Sequence, residues 1–420
     1  MTTITSEPVR TGSVSARTGA TPHALAEYEP EPGSKRIGIG LCLSGGGFRA
    51  ALFHLGALRR LNESGVLARI RTVSAVSGGS ILSAHLATRI GWPLLEPVAD
   101  WDERVAQPFR RFVAHDIRTG PILSRLAPWN WFRSHSAVFH LADKYKKDLT
   151  PLTPWELPDQ PNFVFCATDM AFGVNWIFEK RRMGDYKSGY VTPPPEDWSV
   201  GRAVAASSCF PPVFNPMPVR VAPSLFSGGD QPPGPERDDC IRDLRLTDGG
   251  NYDNMGLEPV WKDHRTVLVS DGGATFTFEG DRNLIWRIKR YTAIVEKQAL
   301  ALRKRWLISS FISGTINGTY WGIASATSSY DENLPGGYSK DLAETLIARI
   351  RTDLDAFSEG ECAVLENHGY LLADAALRRH LPEMVAGAPS PRVPHPDWMD
   401  EMRVRKALAS SGKRKLLGRG

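Results

Sequence analysis

Ser77 stands in segment 75–79 (AVSGG), directly after an apolar run and directly before residues with helical spacing. A serine on a sharp turn between a strand and a helix is a nucleophile elbow, usually written G-x-S-x-G. The turn lifts the hydroxyl out of the sheet and aims the next N–H groups at a developing oxyanion. Ala75 replaces the first glycine of this pattern, and neither Ser74 nor Ser80 occupies the elbow position. Ser77 is therefore the predicted nucleophile.

Three consecutive glycines precede a predicted helix in segment 44–49 (SGGGFR). Gly45, Gly46 and Gly47 allow the backbone to approach a ligand closely, and their N–H groups lie where the helix dipole favours negative charge. This geometry suits a phosphate or an oxyanion. Arg49 falls in the first helical turn, where a positive charge opposes the dipole. It is therefore expected to have a specific partner, either a structural carboxylate or a substrate phosphate.

Asp248 begins an Asp-Gly-Gly sequence at the end of a predicted strand, 243–247, where a carboxylate can accept the serine proton or orient a separate base. A second Asp-Gly-Gly begins at Asp271, so the residues alone leave two candidates. A Ser-His-Asp triad would need a histidine. His264 and His368 lie downstream but in no recognisable loop motif, which makes a Ser–Asp pair without histidine plausible.

The order of predicted elements indicates a parallel sheet covered by helices. Strand, helix, strand and helix are predicted at 37–44, 48–64, 70–76 and 79–90. The first strand is a continuous apolar run, as expected of a strand buried on both faces. Further strands are predicted at 163–170, 174–180, 243–247 and 266–270, and further helices at 100–118, 134–148, 282–312 and 339–357. The Pro/Gly-rich stretch 222–239 is interpreted as an insertion.

Taken in order, the segments GGGFRA, AVSGG and DGG resemble the G-G-G-x-R-G, G-x-S-x-G and D-G-[GA] motifs of the patatin-like phospholipase family. The resemblance extends over residues 37–275 and includes Ser207–Pro212 (SSCFPP). It implies an α/β fold with three α/β/α layers and a mostly parallel central sheet. It also implies hydrolysis of fatty acyl esters without a cofactor or a metal. Ala50 and Ala75 replace glycines of the family motifs.

Carried over by position, the resemblance implies a catalytic dyad of Ser77 and Asp248. The oxyanion hole would come from the backbone of Gly45, Gly46 and Gly47. Segment 269–273 looks like the strand that follows, which makes Asp271 the weaker candidate. The SGGGFRA form is also similar to the cytosolic phospholipase A catalytic domain, which implies that Arg49 contacts a substrate phosphate.

Domain boundaries follow from composition. Residues 1–34 are rich in Ser, Thr, Pro and Glu and are expected to be disordered. Residues 35–385 form the predicted acyl hydrolase domain, and residues 386–420 a Pro-rich linker with a basic tail. Seven Lys or Arg and one acid lie between Glu401 and Gly420, which fits a solvated tail or weak attraction to anionic lipid head groups.

Composition also limits the choice of function. A net charge of +5 is too small to indicate nucleic-acid binding. Five cysteines without a C-x-x-C pair argue against zinc or redox chemistry. The uncharged stretch 306–330 is diluted by polar residues and glycines, so a helix end, a turn and a short strand are predicted there. With no signal peptide apparent, a cytoplasmic protein is expected, in peripheral contact with the inner face of the membrane.

The leading hypothesis is a phospholipase A or lysophospholipase that acts on membrane lipids. One alternative is a carboxylesterase with a Ser-His-Asp triad, its base being His264 or His368. Another is an inactive membrane-associated module, with Trp129, Trp131 and Phe132 at the lipid interface. Nucleotide binding is disfavoured because the glycine loop matches neither G-x-x-x-x-G-K-[ST] nor G-x-G-x-x-G. Head group, acyl length, sn-position and oligomeric state stay open.

Overall fold

A computed structural model describes residues 36–124, 136–211, 213–276, 280–281, 283–332 and 336–413. The predicted disorder of residues 1–34 lies outside the described residues. So do the predicted lipid contacts of Trp129, Trp131 and Phe132 and the last part of the predicted tail, 414–420.

One mixed sheet of eleven strands organises the described chain. The strands are β1 (Arg36–Leu43), β2 (Ile70–Val76), β3 (Asn162–Asp169), β4 (Asn175–Phe178), β5 (Met183–Asp185), β6 (Gly189–Val191), β7 (Met217–Pro218), β8 (Phe226–Ser227), β9 (Arg245–Asp248), β10 (His264–Asp271) and β11 (Asn317–Gly322). The neighbours β11, β10, β1, β2 and β3 run parallel. From β3 the sheet continues antiparallel through β4, β5, β6 and β8.

Helices cover both faces of the sheet. They are α1 (Gly47–Glu63), α2 (Gly78–Arg89), α3 (Gln107–Val113), α4 (Thr119–Ser124), α5 (Ser136–Asp148), α6 (Val200–Ser208), α7 (Pro235–Arg242), α8 (Gly250–Asp253), α9 (Glu258–Trp261), α10 (Leu284–Ile312), α11 (Lys340–Thr345), α12 (Glu359–His380) and α13 (Glu401–Leu408). Leu41 and Leu43 of β1 belong to the large core with α1 and α12, whereas Cys42 between them faces a second core with Leu307 of α10. The predicted three-layer α/β/α architecture is confirmed.

The predicted helix 339–357 is the clearest error in the secondary-structure prediction. The helix ends at Thr345, and after a 3₁₀ turn at Ile347–Arg349 the chain is irregular. The carbonyl oxygens of this stretch serve other partners, since Asp353 O accepts the N–H of Phe48 at 3.0 Å and Ile350 O accepts Arg49 at 2.8 Å. These long-range hydrogen bonds replace the local ones that a helix would need.

The stretch 306–330 is built as the sequence predicts. Helix α10 ends at Ile312, the chain turns at Gly314, and β11 begins at Asn317. Among the described helices, none combines the length and the hydropathy needed to cross a bilayer.

The C-terminal third packs against the helix that follows the glycine loop. A Cβ at Gly56 of α1 would lie 1.8 Å from Glu366 O of α12, and one at Gly369 of α12 would lie 1.8 Å from Phe53 O. The two helix backbones are therefore in direct contact. Farther on, Val404 of α13 is fully buried. The segment from residue 386, predicted to be a linker and a tail, thus contains a packed helix.

We predict that Gly56→Ala destabilises the protein, although alanine normally favours a helix. The added methyl group has no room against Glu366 O, and overpacking of this kind costs about 1–3 kcal/mol. Gly120→Ala in α4 is the control, because a Cβ there meets nothing within 4 Å. It should leave the stability unchanged or raise it slightly. Urea unfolding of both variants measures the difference, and equal midpoints would contradict the close helix contact.

Candidate active site

Ser77 occupies a strained turn between β2 and α2. Its backbone angles are φ 50° and ψ −112°, in a region that non-glycine residues rarely adopt. The next residue has to be glycine, since a Cβ at Gly78 would lie 2.2 Å from Gly47 O. Ala75, in contrast, is a fully buried strand residue aligned with Leu43 and Phe165. The alanine at this motif position therefore fits the elbow.

Asp248 meets Ser77 because two strands share one edge of β3 and run toward each other. Val76, the last residue of β2, lies opposite Cys166, and Asp248, the last residue of β9, lies opposite Ala167. The ends of the two strands therefore meet head-on. Ser77 Oγ donates a hydrogen bond to Asp248 Oδ2 at 2.8 Å.

The Asp248 carboxyl is nearly enclosed, with 6% of the residue exposed. Its Oδ1 accepts the N–H of Gly250 at 2.8 Å, and Thr168 Oγ1 donates to its carbonyl oxygen at 2.8 Å. Burial raises the pKa of Asp248 to about 6, although the hydrogen bonds from Gly250 and Ser77 act in the opposite direction. At neutral pH the carboxyl is mostly ionised and more basic than an ordinary aspartate.

The glycine loop lies directly beside the elbow. A Cβ at Gly45 would lie 3.2 Å from Ser77 Cβ. The N–H of Gly45, one of the three predicted oxyanion donors, already donates to Asn254 O at 3.0 Å. The N–H groups of Gly46 and Gly47 have no acceptor within the described part of the chain, and φ angles of 145° and 58° turn the backbone there. Within the glycine loop, Gly46 and Gly47 are therefore the donors that stay available.

Arg49 is buried against backbone carbonyl groups. Its Nε and Nη2 donate to Gly272 O at 3.2 and 2.9 Å, and its Nη1 donates to Ile350 O at 2.8 Å and to Ala348 O at 3.4 Å. Burial lowers the pKa of Arg49 to about 10, so the guanidinium stays charged at neutral pH. This placement favours a structural role, in which Arg49 joins the glycine loop to the turn after β10, over the predicted phosphate contact.

Ser207 is a site residue that the sequence reasoning recognised only as part of a motif. Its Oγ accepts the N–H of Ser77 at 2.9 Å and donates to Cys166 O at 2.6 Å. Its carbonyl oxygen accepts the N–H of Gly249 at 3.2 Å. One residue of the SSCFPP segment thus holds both the elbow and the turn after Asp248. The sequence marks Ser207 only through its place in the SSCFPP segment, and that motif does not reveal which backbone groups the side chain binds.

Asp271, the other aspartate candidate, belongs to a neighbouring cavity. Its Oδ2 accepts a hydrogen bond from Tyr320 Oη at 2.7 Å, and its Oδ1 accepts the N–H of Gly273 at 2.9 Å. The cavity has a volume of about 410 Å³, and neither Ser77 nor Asp248 lines it. Of the two aspartates, only Asp248 contacts the serine.

The two histidines considered for a triad form hydrogen bonds with backbone carbonyl groups away from Ser77. His264 lies at the start of β10, at the opposite end of the strand from the elbow, and its Nδ1 is 3.2 Å from Val260 O. His368 Nε2 is 2.8 Å from Ile323 O, and burial lowers the pKa of His368 to about 4. Among the described residues, no histidine forms a hydrogen bond with Ser77 or Asp248.

A model of the patatin-like phospholipase family matches residues 41–261, which is more than half of the chain. The chain belongs to this family. The matched range contains the glycine loop, Ser77, Ser207 and Asp248. Asp271 and all of α10 lie beyond it.

Individual relatives are distant. A patatin-like phospholipase domain-containing protein of Aspergillus niger is 27% identical over 179 residues, which is 42% of this chain and 21% of the fungal protein. The structure of human GIVD cytosolic phospholipase A2 in complex with methyl gamma-linolenyl fluorophosphonate is 13% identical to this chain. The match covers 84% of this chain and 60% of the human chain, with a TM-score of 0.48. VipD from Legionella pneumophila is 16% identical, and the match covers 84% of this chain and 68% of VipD, with a TM-score of 0.34. The chain thus spans about a fifth of the length of the fungal relative.

We predict that Asp248→Asn stabilises the protein at alkaline pH. The folded-state pKa of about 6 lies above the ordinary value of 3.8, so the carboxyl contributes most to stability below pH 3.8, and that contribution is lost as pH rises through 6. Asparagine does not titrate, so the unfolding free energy of the variant at pH 8 should exceed that of the parent by about 1–3 kcal/mol. Urea unfolding at pH 4 and pH 8 tests this. A stability difference that is the same at both pH values would refute it.

We predict that Arg49→Ala lowers the unfolding free energy by about 2–4 kcal/mol, because buried carbonyl groups lose a charged donor. Hydrolysis of a phospholipid and of a phosphate-free ester should fall by the same factor. Arg49→Lys, which keeps the charge but not the planar donor set, should be intermediate in stability. A higher KM for the phospholipid alone would instead support the phosphate contact.

Proposed function

We propose that this protein hydrolyses fatty acyl esters of phospholipids or lysophospholipids, with Ser77 as the nucleophile and Asp248 as its base. The observation that carries the proposal is the 2.8 Å hydrogen bond from Ser77 Oγ to Asp248 Oδ2, at a strained elbow beside the glycine loop. Membership of the patatin-like phospholipase family supports lipid esters as the substrate class.

In the first half of the reaction Asp248 takes the proton of Ser77 while Oγ attacks the acyl carbonyl carbon. The carbonyl oxygen becomes an oxyanion that the N–H groups of Gly46 and Gly47 stabilise. When the tetrahedral intermediate collapses, the ester C–O bond breaks and the proton on Asp248 passes to the departing alcohol. The product is a lysolipid or a deacylated head group, and the acyl chain is now bonded to Ser77.

In the second half Asp248 accepts a proton from water, and the resulting hydroxide attacks the acyl-enzyme carbonyl. The Ser77 ester bond breaks, Oγ recovers its proton, and a fatty acid leaves. A base with a pKa near the working pH suits both halves, because it is mostly ionised yet still holds a proton well. The pKa of about 6 that burial gives Asp248 meets this requirement.

The Ser–Asp pair is preferred to a triad with histidine, since His264 and His368 are hydrogen-bonded to backbone carbonyl groups away from Ser77. The proposed reaction uses only side chains and backbone of this chain together with water. Substrates in a membrane would require peripheral contact with the lipid surface, and we propose that contact as part of the function.

Ser77→Ala should lower lipid hydrolysis about ten-thousandfold, because no other group replaces the nucleophile. It should also abolish covalent labelling by an alkyl fluorophosphonate. Ser227→Ala, which removes an exposed hydroxyl bonded to Tyr190 O, is the matched control and should keep both signals. Mass spectrometry of the labelled protein should place the adduct on Ser77. An adduct elsewhere, or full activity of Ser77→Ala, would overturn the mechanism.

Asp248→Asn and Asp271→Asn distinguish the two aspartates. The first variant keeps the shape of the site but cannot accept the serine proton, so its kcat should fall by a factor of a thousand or more (an order-of-magnitude expectation for a missing base). The second should retain most of its activity because Asp271 contacts Tyr320 and Gly273 rather than Ser77. The opposite ranking of the two kcat values would reassign the base.

A further inference from the structure

Helix α10 carries a stripe of apolar side chains that faces away from the protein. Its members are Leu284, Ile288, Tyr291, Val295 and Leu302, which are 69%, 59%, 63%, 70% and 60% exposed. Their spacing of four, three, four and seven residues places them on one side of the helix, within about 60° of arc. A surface helix normally turns its apolar side toward the core, so a second, outward stripe indicates an external partner.

The position of α10 places most of this stripe at the same edge of the sheet as Ser77. Leu307 lies in the core beneath the sheet, Lys304 Nζ donates to Tyr320 Oη at 2.7 Å, and Lys297 Nζ donates to Ala274 O at 2.6 Å. The helix runs antiparallel to β10 and β11: Lys304 contacts Tyr320 within β11, and Lys297 contacts Ala274, which follows the carboxyl end of β10. Residues 284–296 therefore lie at or beyond that edge, over a length of about 20 Å along the helix axis.

A charged residue of α10, Glu296, also acts electrostatically on Asp248. Burial raises the pKa of Asp248, the hydrogen bonds from Gly250 and Ser77 lower it, and the negative charge of Glu296 adds a smaller increase. Glu296 adjoins Val295 of the stripe. Four of the five stripe residues, all but Leu302, therefore lie on the same side of the molecule as the Ser77–Asp248 pair, where the parallel strands β1, β2, β3, β10 and β11 end.

The charge of α10 decides between two kinds of apolar partner. Between residues 284 and 312 the chain has seven basic residues and one acid: Arg287, Lys289, Arg290, Lys297, Arg303, Lys304, Arg305 and Glu296. Two copies of this helix facing each other would bring like charges together, because Arg287 and Arg305 lie exposed beside the stripe. An anionic lipid surface offers acyl chains for the stripe and negative charge for the exposed bases beside it, Arg287 and Arg305, whereas Lys297 and Lys304 contact Ala274 O and Tyr320 Oη.

We propose that α10 docks on anionic lipid surfaces through Leu284, Ile288, Tyr291, Val295 and Leu302. Docking there presents the edge of the sheet that carries Ser77 to the lipids. The proposal rests on the proposed function only for the fate of the bound lipid; the docking itself requires no hydrolysis.

The test uses the full chain with Ser77→Ala, so that vesicles stay intact, and flotation with phosphatidylcholine vesicles that contain or lack phosphatidylglycerol. The parent should float with the anionic vesicles. Adding Ile288→Glu and Val295→Glu should weaken this binding at least about tenfold, because two apolar contacts become two like charges against the surface. Circular dichroism and the melting temperature check that the variant is folded.

The control pair is Leu225→Glu and Met402→Glu, which adds the same charge at residues that are 56% and 80% exposed but lie outside α10. It should bind as the parent does. Equal binding of the stripe variant and the parent would overturn the proposal. So would light scattering that shows a dimeric parent and a monomeric stripe variant with unchanged lipid binding, because the stripe would then join two copies.

The same proteins with Ser77 restored separate the two proposals. The stripe variant should hydrolyse a soluble short-chain ester at the parental rate and vesicle phospholipid about tenfold more slowly at low lipid concentration. If the parent hydrolyses neither substrate but the Ser77→Ala protein still binds vesicles through the stripe, the proposed function fails and the docking surface stands. Equal rates of both proteins on vesicles would contradict docking through α10.

Discussion

The geometry of the site depends on the pairing of β2 and β9 with the same edge of β3. One strand brings Ser77 to the point where it ends, and the other brings Asp248 to the same point from the opposite direction. The register of the two ladders therefore fixes how closely the backbones of the two residues approach, and the side-chain rotamers complete the contact between Oγ and Oδ2. A shift of either register by one residue would turn the side chain to the other face of the sheet.

Around this pair, buried polar groups hold the backbone in a shape that apolar packing alone would not select. Ser207 satisfies the N–H of Ser77 and the carbonyl oxygen of Cys166, so the strained turn leaves neither group unpaired. Arg49 joins the glycine loop to Gly272 and to Ile350. Because each of these groups is buried, removing one partner would leave the other without solvent to replace it. Such networks specify one arrangement of the loops.

Much of this architecture could be predicted from local sequence. Apolar runs and helical spacing identified the central strands and the helices after them, and three short motifs identified the loops. The antiparallel course of β9 could not be predicted, because its apolar residues do not reveal which edge of β3 they pair with. The irregular stretch after Arg349 and the packing of α13 were missed for a related reason. Both depend on partners far away in the chain, such as Phe48 and Arg49, and local propensity carries no information about them.

The pairing of β9 also bears on how the protein matures. Ser77 and Asp248 are separated by 171 residues, and between them lie the whole antiparallel part of the sheet and helices α2 to α7. Contacts with such a large sequence separation close a long loop, so they tend to form late in folding. A chain that has folded only its first strands and helices would have the elbow serine without Asp248 beside it. Reactivity toward esters would then depend on the pairing of β9 and would be absent from molecules that have not yet formed it.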